Sequence, residues 1–339
     1  MKLRTNDKVA ILSPSSTLAG TFPWVFEQGL ERLKSIFNLE PFIMPNCLNI
    51  HATQQDRADD LHSAFRDSSI KAVISCIGGI DQIRLISFLN PDIFKSNPKL
   101  FFGYSDNTHL CNFLYSNGVQ SGYGGSVMTQ LAMQKEMDAA TVANMKWSFF
   151  EQGLYEIIAP PYSVDEDLPW DDKNQLSKKR PSELGEPFIF DGNDDAEGTL
   201  WGGCLESLCD LMRVGKRTPH HDDFSRFILF LETSEEIPTH EFVRRFMISL
   251  GEAGYLQRIR GLILGRPKTW FFDHKMQSQQ KSEYRKLQAK TVLEIFRQYN
   301  STAPMVSNVN IGHTDPQAIV PYGGKAQIKT QDKRLLFIF

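Results

Sequence analysis

No run in this sequence approaches the roughly 20 consecutive apolar residues of a membrane-spanning helix, so a membrane-embedded chain is not expected. Nor does one sign of charge dominate. Thirty-seven Lys+Arg against 40 Asp+Glu leave a formal net charge of −3, without the basic footprint that nucleic acid or anionic lipid selects. Cysteine is scarce: Cys47, Cys76, Cys111, Cys204 and Cys209 form an odd set with no Cys-x-x-Cys pair. That set reads as free thiols in a reducing compartment and gives no zinc site. The opening MKLRTNDKVAILSPSS has two early basic residues but neither the apolar stretch nor the cleavage site of a signal peptide. Hydrophobic residues at 41% and charged residues at 23% are ordinary globular usage, which excludes a disordered chain. What remains is a cytoplasmic protein with no nucleic-acid or membrane partner, long enough for two domains.

The first 150 residues alternate short apolar runs with amphipathic stretches. Lys8–Leu12 (KVAIL) reads as a buried strand ending at Ser13-Pro14-Ser15-Ser16. Pro23 opens a helix whose Val25, Phe26, Leu30, Leu33 and Phe37 recur near the helical period. Lys71–Cys76 is a second strand, broken by Gly78-Gly79; Ile83–Leu89 resumes a helical pattern, and Lys99–Gly103 is a third strand. Strands alternating with helices predict βαβ units and a parallel sheet, with working residues at the carboxyl ends of the strands. Between 151 and 198 five prolines and the runs DED, WDD and KKR replace the periodicity, which predicts a linker with a mobile loop. From 199 to 339, strand-like Arg226–Leu231 and Gly261–Leu264 flank a helix marked by Phe242, Phe246, Met247 and Leu250. The fold class is therefore α/β: an N-terminal parallel-sheet domain (1–150), a linker (151–198) and a smaller mixed C-terminal domain (199–339).

The most informative segment is Phe101-Phe102-Gly103-Tyr104-Ser105-Asp106-Asn107. A strand running through Gly103 into a tight turn with Ser105 at its tip has the mechanics of a nucleophile elbow, although Asn107 stands where G-x-S-x-G has its last glycine. The competing reading is that Ser105 or Asp106 caps the next helix. A serine nucleophile needs a base, and the base an orienting carboxylate. His313 follows Gly312 at the end of an apolar stretch and precedes Thr314-Asp315-Pro316. It is either brought close to a reacting group or is a loop histidine bonded to Asp315. Glu232, ending Phe230-Leu231-Glu232, is an acid at the tip of a buried strand and needs a partner; a structural salt bridge is the alternative. Glu235 and Glu236 read as solvated or helix-entry charges. Gly78-Gly79 offers an oxyanion donor or a tight turn, and Asp81 argues against a phosphate cradle. Val214-Gly215-Lys216-Arg217-Thr218 is only superficially a P-loop.

Taken in order, Ile77-Gly78-Gly79, Asn97-Pro98-Lys99 leading into Gly103-Tyr104-Ser105-Asp106, Trp201-Gly202-Gly203, Phe230-Leu231-Glu232, Gly261-Leu262-Ile263-Leu264-Gly265-Arg266 and Gly312-His313-Thr314-Asp315-Pro316 resemble the LD-carboxypeptidase family of serine peptidases. The likeness runs from about residue 8 to 325 and is to the microcin C self-immunity branch, because Ile77-Gly78-Gly79-Ile80-Asp81 stands where recycling members carry Arg-Gly-Gly-Tyr-Gly. The resemblance implies a Ser–Glu–His triad of Ser105, Glu232 and His313. It also implies an oxyanion hole from the backbone N–H groups of Asp106 and a glycine of the turn, Gly79. Further implications are a homodimer and, in Trp170, an aromatic residue that stacks on a base. Cys204 departs from the pattern, since relatives have Asn after Trp-Gly-Gly, and a thiol cannot replace an amide's donors and acceptor.

The expected function is a serine carboxypeptidase or amidohydrolase that cleaves the amide of small peptides or peptidyl-nucleotides, with no metal or organic cofactor. Arg84 and Arg266 could grip a substrate carboxylate or serve as structural ion pairs. The alternatives are L,D-carboxypeptidase action on a murein tetrapeptide and a non-catalytic protein that sequesters a peptidyl-nucleotide.

Overall fold

Val9, Ala10, Ile11 and Leu12 are all buried, as a strand covered on both faces requires, and Lys8–Leu12 is β1 of a six-stranded sheet. The structure is a computed structural model that describes residues 1–339 and divides into two units. Unit 1 comprises Met1–Gln152, Leu168–Arg180 and Ile319–Gly323. After β1, Pro23 at the first helical position starts α1 (Pro23–Ser35), which buries Val25, Phe26 and Leu33. Then come β2 (Glu40–Ile43), α2 (Gln54–Arg66, opened by a Thr53/Asp56 capping box), β3 (Ile70–Ser75), β4 (Leu100–Gly103), α3 (Thr108–Ser116) and β5 (Ser121–Tyr123). The expected strands at 71–76 and 99–103 are thus present with their ends moved by one residue. Ile83–Leu89 is a helical turn over Gln82–Leu85 followed by a tighter one over Ile86–Phe88.

The sheet order is β5-β4-β3-β1-β2, all parallel, with Val320–Tyr322 added antiparallel on the outer edge of β5. Strand order reverses between β1 and β3, and the crevice outside their carboxyl ends is where such sheets bind ligands. The loops there are Ser13–Ser16 and Cys76–Gly79.

Unit 2 comprises Gly153–Asp167, Pro181–Ala318 and Gly324–Phe339. Its sheet has eight strands: β6 (Leu154–Ile157), β7 (Ile189–Asp191), β8 (Ala196–Cys204), β9 (Phe227–Glu232), β10 (Gly261–Gly265), β11 (Met305–Val309), β12 (Lys325–Lys329) and β13 (Arg334–Ile338). They lie in the order β6-β13-β12-β8-β9-β10-β11-β7. The four central strands β8 to β11 are parallel and the outer ones antiparallel. Helices Leu205–Val214 (α4), His240–Glu252 (α5) and Ser278–Tyr299 (α6) connect the parallel strands, so the carboxyl ends of β8, β9, β10 and β11 share one edge.

Unit 2 is nearly as long as unit 1, where the sequence suggested a smaller second domain. The stretch 151–198 also proves richer than a connector. Residues 153–167 and 181–191 supply β6, β7 and a two-stranded ribbon of Tyr162–Ser163 with Glu183–Leu184 to unit 2, while 168–180 belong to unit 1. Their polar residues have partners: the buried Asp165 accepts hydrogen bonds from the Thr269 backbone N–H and hydroxyl and lies 3.3 Å from Arg285. Lys281 and Arg285 reach Glu183 at 2.5 and 3.0 Å.

Candidate active site

In unit 1, β4 ends at Gly103 and the chain turns at once into a single tight helical turn, Ser105–Asn107, before α3. Ser105 sits at φ +64°, a left-handed conformation that costs a non-glycine residue energy and is kept only where neighbours over-determine it. Its N–H donates to the Tyr123 hydroxyl at 3.1 Å, and its carbonyl accepts from the Thr108 hydroxyl at 2.7 Å. Neither Ser105 nor Asp106 caps α3 through its side chain, so the capping alternative does not describe this turn. The strained serine at a strand-to-helix corner is the geometry of a nucleophile elbow.

Asn107 stands in place of the usual glycine because its side chain is used. The amide NH₂ donates to the Tyr104 and Ile77 carbonyls at 3.0 and 3.3 Å, and its oxygen accepts from Gln82 Nε2 at 2.8 Å. Gln82, fully buried, completes a clamp. Its backbone N–H donates to Asp106 Oδ2 at 2.9 Å, and its Oε1 accepts from the Leu110 N–H at 2.9 Å. In the sequence Gln82 carries no signal beyond being a polar residue at the start of a helical turn. Asp106 also accepts from the Ser15 hydroxyl, and burial raises its carboxyl above the usual range against the pull of these bonds.

The double-glycine turn lies against this corner. A β-carbon on Gly78 would come within 2.8 Å of Ser105 Cβ and 3.1 Å of its Oγ, whereas one on Gly79 would meet Ser15 Oγ at 2.5 Å. Glycine is therefore required by close approach, and Gly78 is the member of the pair whose α-carbon faces the serine.

In unit 2, Glu232 is the last residue of β9, and its side chain is wholly shielded from solvent. Its partner is His313, whose Nδ1 lies 2.7 Å from Glu232 Oε2, so the acid at the strand tip is paired with an imidazole. Gly312 makes the approach possible. It holds φ +82°, and a β-carbon there would collide with the Glu232 carboxylate. The far nitrogen of the ring, Nε2, lies 3.2 Å from Glu235 Oε2. Glu235 is thus no solvated bystander, contrary to the sequence reading. Glutamates beside Pro238 carry no pattern that distinguishes a ring partner from a surface charge. Burial opposes a charge on His313, but the carboxylates of Glu232 and Glu235, with Glu206 behind them, outweigh it and push its pKa up to about 9.

The LD-carboxypeptidase N-terminal domain model matches residues 9–124 and the LD-carboxypeptidase C-terminal domain model residues 197–328. The chain belongs to the LD-carboxypeptidase family. It is a serine-type carboxypeptidase, a hydrolase of amide bonds, and its relatives span almost its full length. YocD of Bacillus subtilis, a carboxypeptidase by name, is 27% identical over 97% of this chain and 95% of its own. The microcin C7 self-immunity protein MccF of Escherichia coli is 25% identical over 84% of this chain and 78% of its own. Among solved structures, an MccF-like protein from Streptococcus pneumoniae in complex with AMP superposes with a TM-score of 0.85, at 29% identity and covering 98% of this chain and 99% of that one. MccF with aspartyl sulfamoyl adenosine has the same fold, with a TM-score of 0.85 at 22% identity over 100% of this chain and 97% of its own.

Other residues singled out in this LD-carboxypeptidase fall in varied places. Trp170 packs edge-on against Phe22, ring centroids 5.7 Å apart, and its carbonyl accepts from the Trp24 indole at 2.8 Å. Cys204, buried at the end of β8 and in register with Glu232, donates its thiol to Glu206 Oε2 at 3.1 Å. Burial and the two glutamates push that thiol well up, so it stays protonated. Arg266 follows β10 and is buried, its Nε donating to Asn308 Oδ1 at 3.0 Å; burial lowers its pKa to about 10. Arg84 is largely exposed and 3.6 Å from Asp81. Gly215 ends α4 in a left-handed cap, which accounts for the P-loop-like segment.

Proposed function

We propose that Ser105 is the nucleophile of this carboxypeptidase, His313 its general base and Glu232 the carboxylate that orients the base. The observation that carries the reading is the buried 2.7 Å contact between His313 Nδ1 and Glu232 Oε2, in a chain that also presents a strained serine at a strand-to-helix corner. Ser105 Oγ attacks the amide carbonyl as His313 Nε2 takes its proton. Glu232 keeps the other proton on Nδ1 and stabilises the imidazolium. The backbone N–H groups of Asp106 and of Gly79, next to the close-packed Gly78, bind the oxyanion, each worth roughly 10²–10³ in rate. The imidazolium then protonates the leaving nitrogen, and water, activated by the same histidine, releases the acyl group. The steps draw on side chains and backbone only, so no metal or organic cofactor is called for.

The substrate class we propose is a small peptide or an aminoacyl- or peptidyl-nucleotide whose acyl group is joined through an amide. The likeness to an MccF-like protein held with AMP supports it, as does the presence of an MccF relative. Trp170, in an aromatic group with Phe22 and Trp24, is the residue that would stack on the base. Cys204 would line the acyl side, where its thiol, already given to Glu206, offers less to a substrate than an amide would. A cytoplasmic homodimer belongs to the same proposal, supported by the free cysteines and the family resemblance. Murein tetrapeptide is the second reading, favoured by the likeness to a murein peptide carboxypeptidase by name of Bacillus subtilis, 27% identical over 82% of this chain and 75% of its own.

Mass spectrometry of an L,D-tetrapeptide, plain dipeptides and an aminoacyl-sulfamoyl adenosine, each incubated with wild type and Ser105→Ala, tests both readings. Release of the nucleotide moiety by wild type alone is the expected result. Cleavage only of the tetrapeptide moves the substrate to murein; equal turnover by both proteins sinks the serine mechanism.

A further inference from the structure

We infer that Glu235 is a gate on the base: its carboxylate takes the Nε2–H of His313, and it must swing away before that nitrogen can accept the proton of the nucleophile. The inference rests on the triad reading above and extends it to a residue outside the triad.

An imidazole has two ring nitrogens, and a general base must present one of them bare. Here Nδ1 faces Glu232 Oε2 at 2.7 Å and Nε2 faces Glu235 Oε2 at 3.2 Å. A carboxylate only accepts, so both nitrogens carry hydrogen when both contacts are made, and the ring is an imidazolium with no lone pair to offer. The two acids differ in their freedom. Glu232 ends a central strand and is wholly shielded; Glu235 lies three residues on, in the turn before Thr239 caps α5, with its side chain 42% exposed. Glu232 is therefore fixed, whereas Glu235 can leave by side-chain rotation into solvent. The ring, with one carboxylate fewer to hold its charge, then gives its Nε2 proton to bulk water and presents a bare nitrogen.

The charges around the ring favour the closed state. Glu232 at the end of β9, Glu235 in the following turn and Glu206 in the first turn of α4 all stabilise the protonated ring. Glu206 is tied down by the Ser234 N–H and hydroxyl at 3.0 and 2.8 Å and by the Cys204 thiol. Lys268, beyond β10, feels Glu235 after Asp167 and Asp165, and is itself paired with Asp167 at 2.5 Å. Of these acids only Glu235 meets the nitrogen the reaction needs. A substrate whose ammonium group engages Glu235 would open the gate as it binds.

The experiment is a ¹⁵N-histidine NMR titration of wild type, Glu235→Gln and Glu235→Ala, with His313→Gln to assign the signal, beside pH profiles of kcat/KM on the aminoacyl-sulfamoyl adenosine. Expected is a His313 ring protonated at both nitrogens at pH 7 in wild type, which titrates at lower pH in both Glu235 variants. The acid limb of kcat/KM, which reports the free enzyme, should move with it and raise kcat/KM at pH 7 on the order of tenfold, the effect of one adjacent carboxylate no longer holding the proton. A titration that does not move overturns the gate whatever the activity. A titration that moves while the acid limb stays also overturns it, because the contact would then not limit the base. If no panel member is hydrolysed, the function reading falls, and the titration still decides the contact.

Discussion

At the scale of single residues, Gly312 shows how much can depend on one missing methyl group. Its left-handed backbone and the carboxylate in the space of its absent side chain are two independent reasons for glycine. Gly312→Ala should cost about 2 kcal/mol or more of stability and abolish hydrolysis, checked by urea unfolding and a turnover assay. His313 makes a prediction about pH. Its folded value near 9 lies above the roughly 6.5 of an unfolded histidine. Its contribution to stability is therefore fully present below about pH 6.5 and is lost as pH rises through about 9. The urea midpoint of wild type should fall across that window, and His313→Gln should lack this part of the slope. Had the midpoint held level in both, the imidazolium would not be the buried form. The glycine before the histidine was a usable signal in the sequence. The second carboxylate on the ring was not, because a glutamate three residues past a strand end has the same local pattern whether it faces solvent or a ring.

Among the elements, the turn of β4 into α3 is held by the helical turn that begins at Gln82 as well as by its own residues. Gln82 ties Asp106, Asn107 and Leu110 together. Gln82→Ala leaves the Asn107 oxygen and the Leu110 N–H without those bonds in a buried site, a loss of about 2 kcal/mol or more. It should lower kcat more than KM, since it loosens the serine rather than a binding surface; an effect on KM alone would show that the clamp does not position Ser105. In unit 2 the ribbon of 162–163 with 183–184 is held by ion pairs. Arg285→Ala would remove one partner of the shielded Asp165 and of Glu183, and breaking a buried pair in this way costs about 3–5 kcal/mol. Because the site is shielded, 0.5 M salt should leave wild-type stability nearly unchanged, whereas an exposed network would weaken. Both features explain which elements were legible. Lys8–Leu12, Ile70–Ser75 and Leu100–Gly103 are apolar runs bounded by turn residues and were legible to within a residue, whereas β2 (Glu40–Ile43), mostly exposed, carries no such run. The 151–198 stretch carries prolines and charges, and what gives it strands is pairing with partners over a hundred residues away.

For the molecule as a whole, the same limit applies to topology. Alternating strands and helices made an α/β fold legible, and the motif order made the family legible. No local pattern could show that Val320–Tyr322, near the end of the chain, would pair with β5 near residue 122. That pairing covers the edge of the unit 1 sheet, and an uncovered edge invites association. A fragment of residues 1–152 lacks this strand and the 168–180 segment. Its thermal melt by circular dichroism should be broad and its solutions aggregation-prone, while the full chain melts cooperatively. The chain changes unit at 152, 167, 180, 318 and 323, and this has a genetic consequence. A crossover that swaps the coding sequence for one half between two homologous genes would hand each daughter a sheet whose border strand was matched to another lineage's neighbour. The segment around 320 must travel with the first half of the gene for the exchange to be tolerated. Selection then acts on the two halves as one hereditary unit, although each has its own sheet.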